Sequence, residues 1–152
     1  LKKKVIGVIG GNTVGKKHYD AAYKTGQEIA RRGAVLVCGG LAGVMEASCK
    51  GAKKEGGVTI GILPSKNKNT ANKYVDIPVA TGIGEARNTV IVNTADGFVA
   101  IDGKEGTLSE IAFALKAGKP VAGIDTYDIP AIMKCSTPEE AVEKVFLKLE
   151  GA

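Results

Sequence analysis

Short β-branched runs that close on glycine and lead into helical segments recur along this chain, and that alternation limits its fold more than any other feature. "VIGVI" (Val5 to Ile9) ends in Gly10-Gly11, and "AVLVC" (Ala34 to Cys38) ends in Gly39-Gly40. "VTIGIL" (Val58 to Leu63) is stopped by Pro64, "GFVAI" (Gly97 to Ile101) opens onto Asp102-Gly103, and "PVAGI" follows Gly118 and Lys119. Runs that stay apolar at successive positions suit strands covered on both faces. Parallel strands need a crossover between them, which helices supply. The expected fold is therefore α/β: a doubly wound parallel sheet with helices on both faces, in a single domain over residues 1-152.

The predicted helices run from Tyr19 to Arg32, Val44 to Glu55, Glu85 to about Thr94 and Thr107 to Ala117, with a last one in "STPEEAVEKVFLKLEGA". In that last segment Thr137 is the N-cap, Pro138 the first helical residue and Glu140 the capping-box partner. By propensity alone "GEARNTVIVNTADGFVAID" could form a hairpin. The crossover that each new parallel strand requires favours a helix followed by a strand. "SKNKNTANK" predicts a surface loop, and Pro78 places the extended segment Tyr74 to Ala80 at a sheet edge.

With 21 Gly against 5 Pro, and only 5% aromatic residues, glycine turns dominate the connections. The net charge of +5 favours anionic partners. The lysines lie scattered in pairs, with few aromatics to stack on bases, so a nucleic-acid channel is not expected. Cys38, Cys49 and Cys135 lack metal-ligand spacing. Cys38 and Cys49, in apolar or small-residue surroundings, read as reduced core residues, and no metal is expected. His18 shows no partner and reads as a surface residue. No run reaches transmembrane length. The apolar part of "LKKKVIGVIGG" is too short for a signal peptide. The expectation is a cytoplasmic protein away from membranes, with a few residues preceding Leu1.

Three turns carry the candidate chemistry: Gly10, Gly11 and Asn12; Gly39, Gly40 and Gly43; and Gly103, Lys104, Gly106 and Thr107. In doubly wound sheets ligands bind beyond the carboxyl ends of the strands, where these turns fall. Backbone N–H groups and positive helix ends facing one crevice suit phosphate. The dinucleotide fingerprint fails, because "GGNTVG" puts Asn12 at the middle glycine and Cys38 ends the second strand without a ribose-binding acid. The P-loop fails as well: "GGNTVGKK" has Lys17 where a Mg²⁺-binding hydroxyl belongs.

"GVIGGN", "CGGLAGVMEASCKGAKKEGG", "GEARN" and "DGKEGTLSEIAFALKAGKPV", in that order and spacing, resemble the LOG-like superfamily (LONELY GUY proteins, often called "possible lysine decarboxylases"). The similarity reaches to about Asp125 and is greatest to the branch of molybdenum-cofactor carrier proteins. It implies a Rossmann-like fold and a homo-oligomer, either a dimer or a dimer of dimers. Enzymatic members cleave the N-glycosidic bond of cytokinin riboside 5′-monophosphates, with an Arg and a Glu that fall on Arg87 and Glu110. This chain departs from the enzymatic pattern. Asp102 stands in place of Pro, Lys104 in place of Gly, and Asn88 in place of a basic neighbour of the arginine. Lysine decarboxylation is set aside, since no pyridoxal-phosphate lysine is identifiable.

Thr107 and Glu110 also have capping-box spacing, which by itself would explain both residues. Alternatively, Glu110 would stabilise an oxocarbenium-like sugar and Arg87 would clamp a phosphate. Arg87 could also serve only a surface ion pair with Glu85. Two functions are carried forward. The first is binding of a phosphorylated nucleotide- or pterin-like small molecule, such as a nucleoside monophosphate or the molybdenum cofactor, with no cofactor required for the protein itself. The alternative is a phosphoribohydrolase acting through Glu110 and Arg87. A scaffold without a ligand is the third class.

Overall fold

The computed structural model describes residues 2–151. Seven parallel strands form one sheet: β1 (Val5–Gly10), β2 (Val35–Cys38), β3 (Thr59–Leu63), β4 (Ile77–Ala80), β5 (Gly97–Ile101), β6 (Val121–Ile124) and β7 (Met133–Lys134). The helices are α1 (Lys16–Arg31), α2 (Val44–Lys54), α3 (Arg87–Thr94), α4 (Glu105–Lys116) and α5 (Pro138–Leu149). The strand order is β4-β3-β2-β1-β5-β6-β7. The chain winds outward from β1 to β4 on one side, then returns to start β5 beside β1. That reversal opens a crevice at the carboxyl ends of β1 and β5.

Alternate residues of each strand feed two cores, because successive side chains point to opposite faces. Ile6, Val8, Leu36, Cys38, Val99 and Ile101 pack with α1, α2 and α5. Ile9, Val37, Phe98 and Ala100 pack with α3 and α4. β5 is buried along its whole length, as a central strand of such a sheet must be. β4 forms the edge beyond β3, where Pro78 costs no ladder bond on its free side.

Several expectations change. α4 starts at Glu105 with Lys104 as its N-cap, so Thr107 and Glu110 lie inside the helix and form no capping box. The β1–α1 connection runs on to Gly15, and Gly10-Gly11 do not open α1 directly. β7 is a short strand the sequence pattern did not announce. At α5, Thr137 does cap: Glu140 N–H donates to its hydroxyl (3.2 Å), while the Glu140 carboxylate accepts from Ser136 N–H (2.9 Å).

Candidate functional site

The crevice between β1 and β5 is a cleft of about 390 Å³, within the range of small-molecule sites. Gly10, Gly11 and Asn12 line it from the β1 turn, and Gly39 from the β2 turn. Arg87 and Asn88 line it from α3, and Gly103, Lys104, Gly106, Thr107 and Glu110 from the start of α4. Gly40 and Gly43 lie outside the lining. Gly40 packs against Leu63 and Gly61, and Gly43 sits at φ +64° against the Gly11 carbonyl, so both shape the turn rather than face the cleft.

The turns are tied to one another. Ala42 N–H donates to the Asn12 side-chain carbonyl (3.0 Å), and Val44 N–H donates to Gly11 O (3.0 Å). Gly103 at φ +110° needs the freedom of glycine, and a Cβ there would meet Thr107 at 2.5 Å. Gly106 is different: a Cβ would meet nothing within 4 Å. Bare backbone therefore faces the cleft in the first turn of α4. No side chain caps that helix, which leaves the N–H groups of Glu105, Gly106 and Thr107 available beside the positive helix end.

Asp102 takes φ +51°, a left-handed conformation that proline cannot reach. The Asp102 carbonyl accepts from the Thr126 hydroxyl (2.7 Å). Its carboxylate lies 3.6 Å from His18 Nδ1, and His18 Nε2 lies 3.2 Å from Asp125. His18 is therefore not a residue without partners, because two loops distant in sequence supply them. Lys16 pairs with Asp20 and Lys17 with Asp125, so the lysines after "GGNTVG" serve helix and loop contacts.

Arg87 is 5% exposed, not a surface ion-pairing residue. Its Nε donates to Ile62 O (2.8 Å) and its Nη2 to Gly39 O (3.4 Å), tying the ends of β3 and β2 to α3. Its Nη1 faces Glu85 (3.4 Å) and donates to Asn88 Oδ1. Most of its fork is thereby held by protein acceptors. Glu110 is 8% exposed and forms no hydrogen bond with another described residue. Burial pushes its carboxyl up to about 8, while the Arg87 charge pulls the other way and the Glu85 charge adds to the rise.

A model of the SLOG cluster4 family matches residues 3–148. This chain belongs to that family. Among relatives, an uncharacterized protein of Archaeoglobus fulgidus is 48% identical over 143 residues, covering 93% of this chain and 94% of that protein. A cytokinin riboside 5′-monophosphate phosphoribohydrolase of Mycobacterium tuberculosis is 30% identical over 117 residues. That alignment covers 75% of this chain but only 60% of the enzyme. Among solved structures, the molybdenum cofactor binding protein of Rippkaea orientalis superposes with TM-score 0.93 at 39% identity, covering 98% of this chain and 99% of that one. The molybdenum cofactor carrier protein of Chlamydomonas reinhardtii superposes with TM-score 0.90 at 33% identity, over the same shares. SLOG cluster4 membership thus bears out the LOG-like resemblance, and the carrier-protein branch is where the structural likeness is high along the full chain.

Proposed function

We propose that the cleft binds a phosphorylated pterin- or nucleotide-like molecule, the molybdenum cofactor foremost, as a carrier rather than a catalyst. The observation that carries this reading is the uncapped first turn of α4, with glycine backbone exposed to the cleft opposite the β1 turn. The N–H groups of Glu105, Gly106 and Thr107 would hold the phosphate, with Lys104 adding positive charge at the helix end. The ring would lie toward Asn88, Arg87 and Glu110, inside the cleft. The full-length likeness to two proteins named for the molybdenum cofactor supports the same reading. We further place the protein in the cytoplasm as a homodimer, for which exposed Leu108 and Phe113 on α4 offer an apolar contact surface.

A thermal-shift experiment tests the binding. The cofactor or a nucleoside 5′-monophosphate should raise the melting temperature by several degrees at ~100-fold excess over Kd, and the dephosphorylated nucleoside should not. Gly106→Val, whose Cβ would meet nothing within 4 Å, should melt like the parent alone and lose the shift. A Gly106→Val protein that responds as strongly as the parent contradicts the placement.

The phosphoribohydrolase reading keeps one supporting observation: Arg87 and Glu110 do share the cleft. Against it, most of the Arg87 fork is already engaged. Release of free base from a nucleoside 5′-monophosphate, abolished by Glu110→Ala, would favour this second reading.

A further inference from the structure

Asn88 holds the information that the proposed function leaves open: which ring edge the cleft accepts. It is 5% exposed and lines the cleft beside Arg87 and Glu110. Its side-chain oxygen accepts from Arg87 Nη1. A guanidinium only donates, so this contact fixes the orientation of the amide. Oxygen faces Arg87, and the –NH₂ group is left pointing elsewhere.

That –NH₂ forms no hydrogen bond with another described residue, and neither does the Glu110 carboxyl. Yet among the described residues no fully buried side-chain nitrogen or oxygen lacks a partner. Both groups must therefore be reached by solvent, and the opening they share is the cleft. A donor that cannot flip and an unpartnered carboxyl, both at least nine-tenths buried, line the same cleft at a site read as binding a ring.

We infer that Asn88 and Glu110 select a 2-amino-4-oxo pyrimidine edge, the one shared by pterins and guanine: Asn88 Nδ2 donates to the ring carbonyl, and the Glu110 carboxylate accepts from the neighbouring ring N–H and the exocyclic amine. A 6-aminopurine mismatches this arrangement, since it presents an amino donor to the Asn88 donor and a bare ring nitrogen to the carboxylate. The assignment rests on the phosphate-and-ring reading of the cleft. Two N–H donors from the ring favour the ionised carboxyl and so offset the burial that disfavours it.

The test is calorimetric titration of the full chain with GMP, IMP, AMP and neopterin monophosphate. GMP and the pterin phosphate should bind about tenfold or more tightly than AMP, with IMP, which lacks the exocyclic amine, in between. Asn88→Asp keeps an oxygen for Arg87 but removes the donor. It should weaken GMP and reduce the GMP-to-AMP ratio to near one. Glu110→Gln should bring GMP level with IMP. Pterin bound far more tightly than GMP would identify the pterin as the source of the edge, and equal binding would leave the shared edge as the determinant. If all four bind alike, or if AMP is preferred, or if Asn88→Asp leaves the ratio unchanged, the edge assignment is overturned while phosphate binding stands. If none of the four binds, the parent reading of the cleft fails with it.

Discussion

Burial gives the Glu110 carboxyl a pKa of about 8 instead of 4.5, and that has a cost in stability with a definite sign. Between those two values the folded state holds a proton that the unfolded state releases. Its contribution is full below about pH 4.5, falls as the pH rises through the window and is gone above about 8. Glu110→Gln keeps the size and removes the titration. Measured by urea denaturation, the variant should gain on the parent from pH 5 to pH 8, reaching an advantage on the order of a few kcal/mol. Parallel stabilities across that range would contradict the buried, unpartnered placement. Ligand binding should show the opposite slope. If the ring N–H groups hold the carboxyl ionised, GMP affinity rises with pH between 7 and 8, by no more than about tenfold per unit. Which of these residues could be read in the sequence follows from distance along the chain. Arg87, Thr107 and Glu110 sit in short motifs whose order is recognisable. His18 gains its role from Asp102 and Asp125, more than eighty residues away, and Asn88 from the direction of a neighbouring guanidinium. No local pattern encodes either.

At the scale of elements, glycine does more than make turns. Gly26 on α1 and Gly51 on α2 lie where the two helices nearly touch. A Cβ at Gly26 would fall 1.9 Å from Ser48 O, and one at Gly51 1.9 Å from Tyr23 O. Composition alone does not reveal this use of glycine, because a helix that packs through bare backbone has the same composition as one interrupted by a turn. Gly51→Ala should destabilise the fold by about 1–3 kcal/mol in denaturant titration, despite the helix propensity that alanine adds. A neutral or stabilising result would show the helices free to separate. Thr137→Ala removes the α5 cap and should cost about 1 kcal/mol. The α4 boundary was less legible. The S/T-x-x-E pattern of Thr107 and Glu110 mimics a helix start, whereas the true start at Glu105 needs only backbone and leaves no side-chain signature.

Across the whole molecule, the alternation of apolar runs and glycine turns was enough to specify a parallel sheet, because few other arrangements bury strands on both faces. The position of the reversal, between β1 and β5, was not in the pattern; it depends on which side of β1 the returning strand joins. That choice creates the cleft and sets α4 against the β1 turn. The proposed dimer belongs to this scale as well. Phe113 is 48% exposed and Leu108 37%, and Phe113→Glu should convert a dimer to a monomer in light scattering while leaving the fold intact. A species of unchanged mass would place the contact elsewhere.

In the proposed complex the first turn of α4 receives the ligand phosphate. A crystal structure of the GMP complex tests it most directly. The predicted result is phosphate oxygens within about 3 Å of the backbone N–H groups of Glu105, Gly106 and Thr107, with the base directed into the cleft. Well-defined nucleotide whose phosphate lies away from that turn, or crystals grown at saturating GMP with none in the cleft, would contradict it.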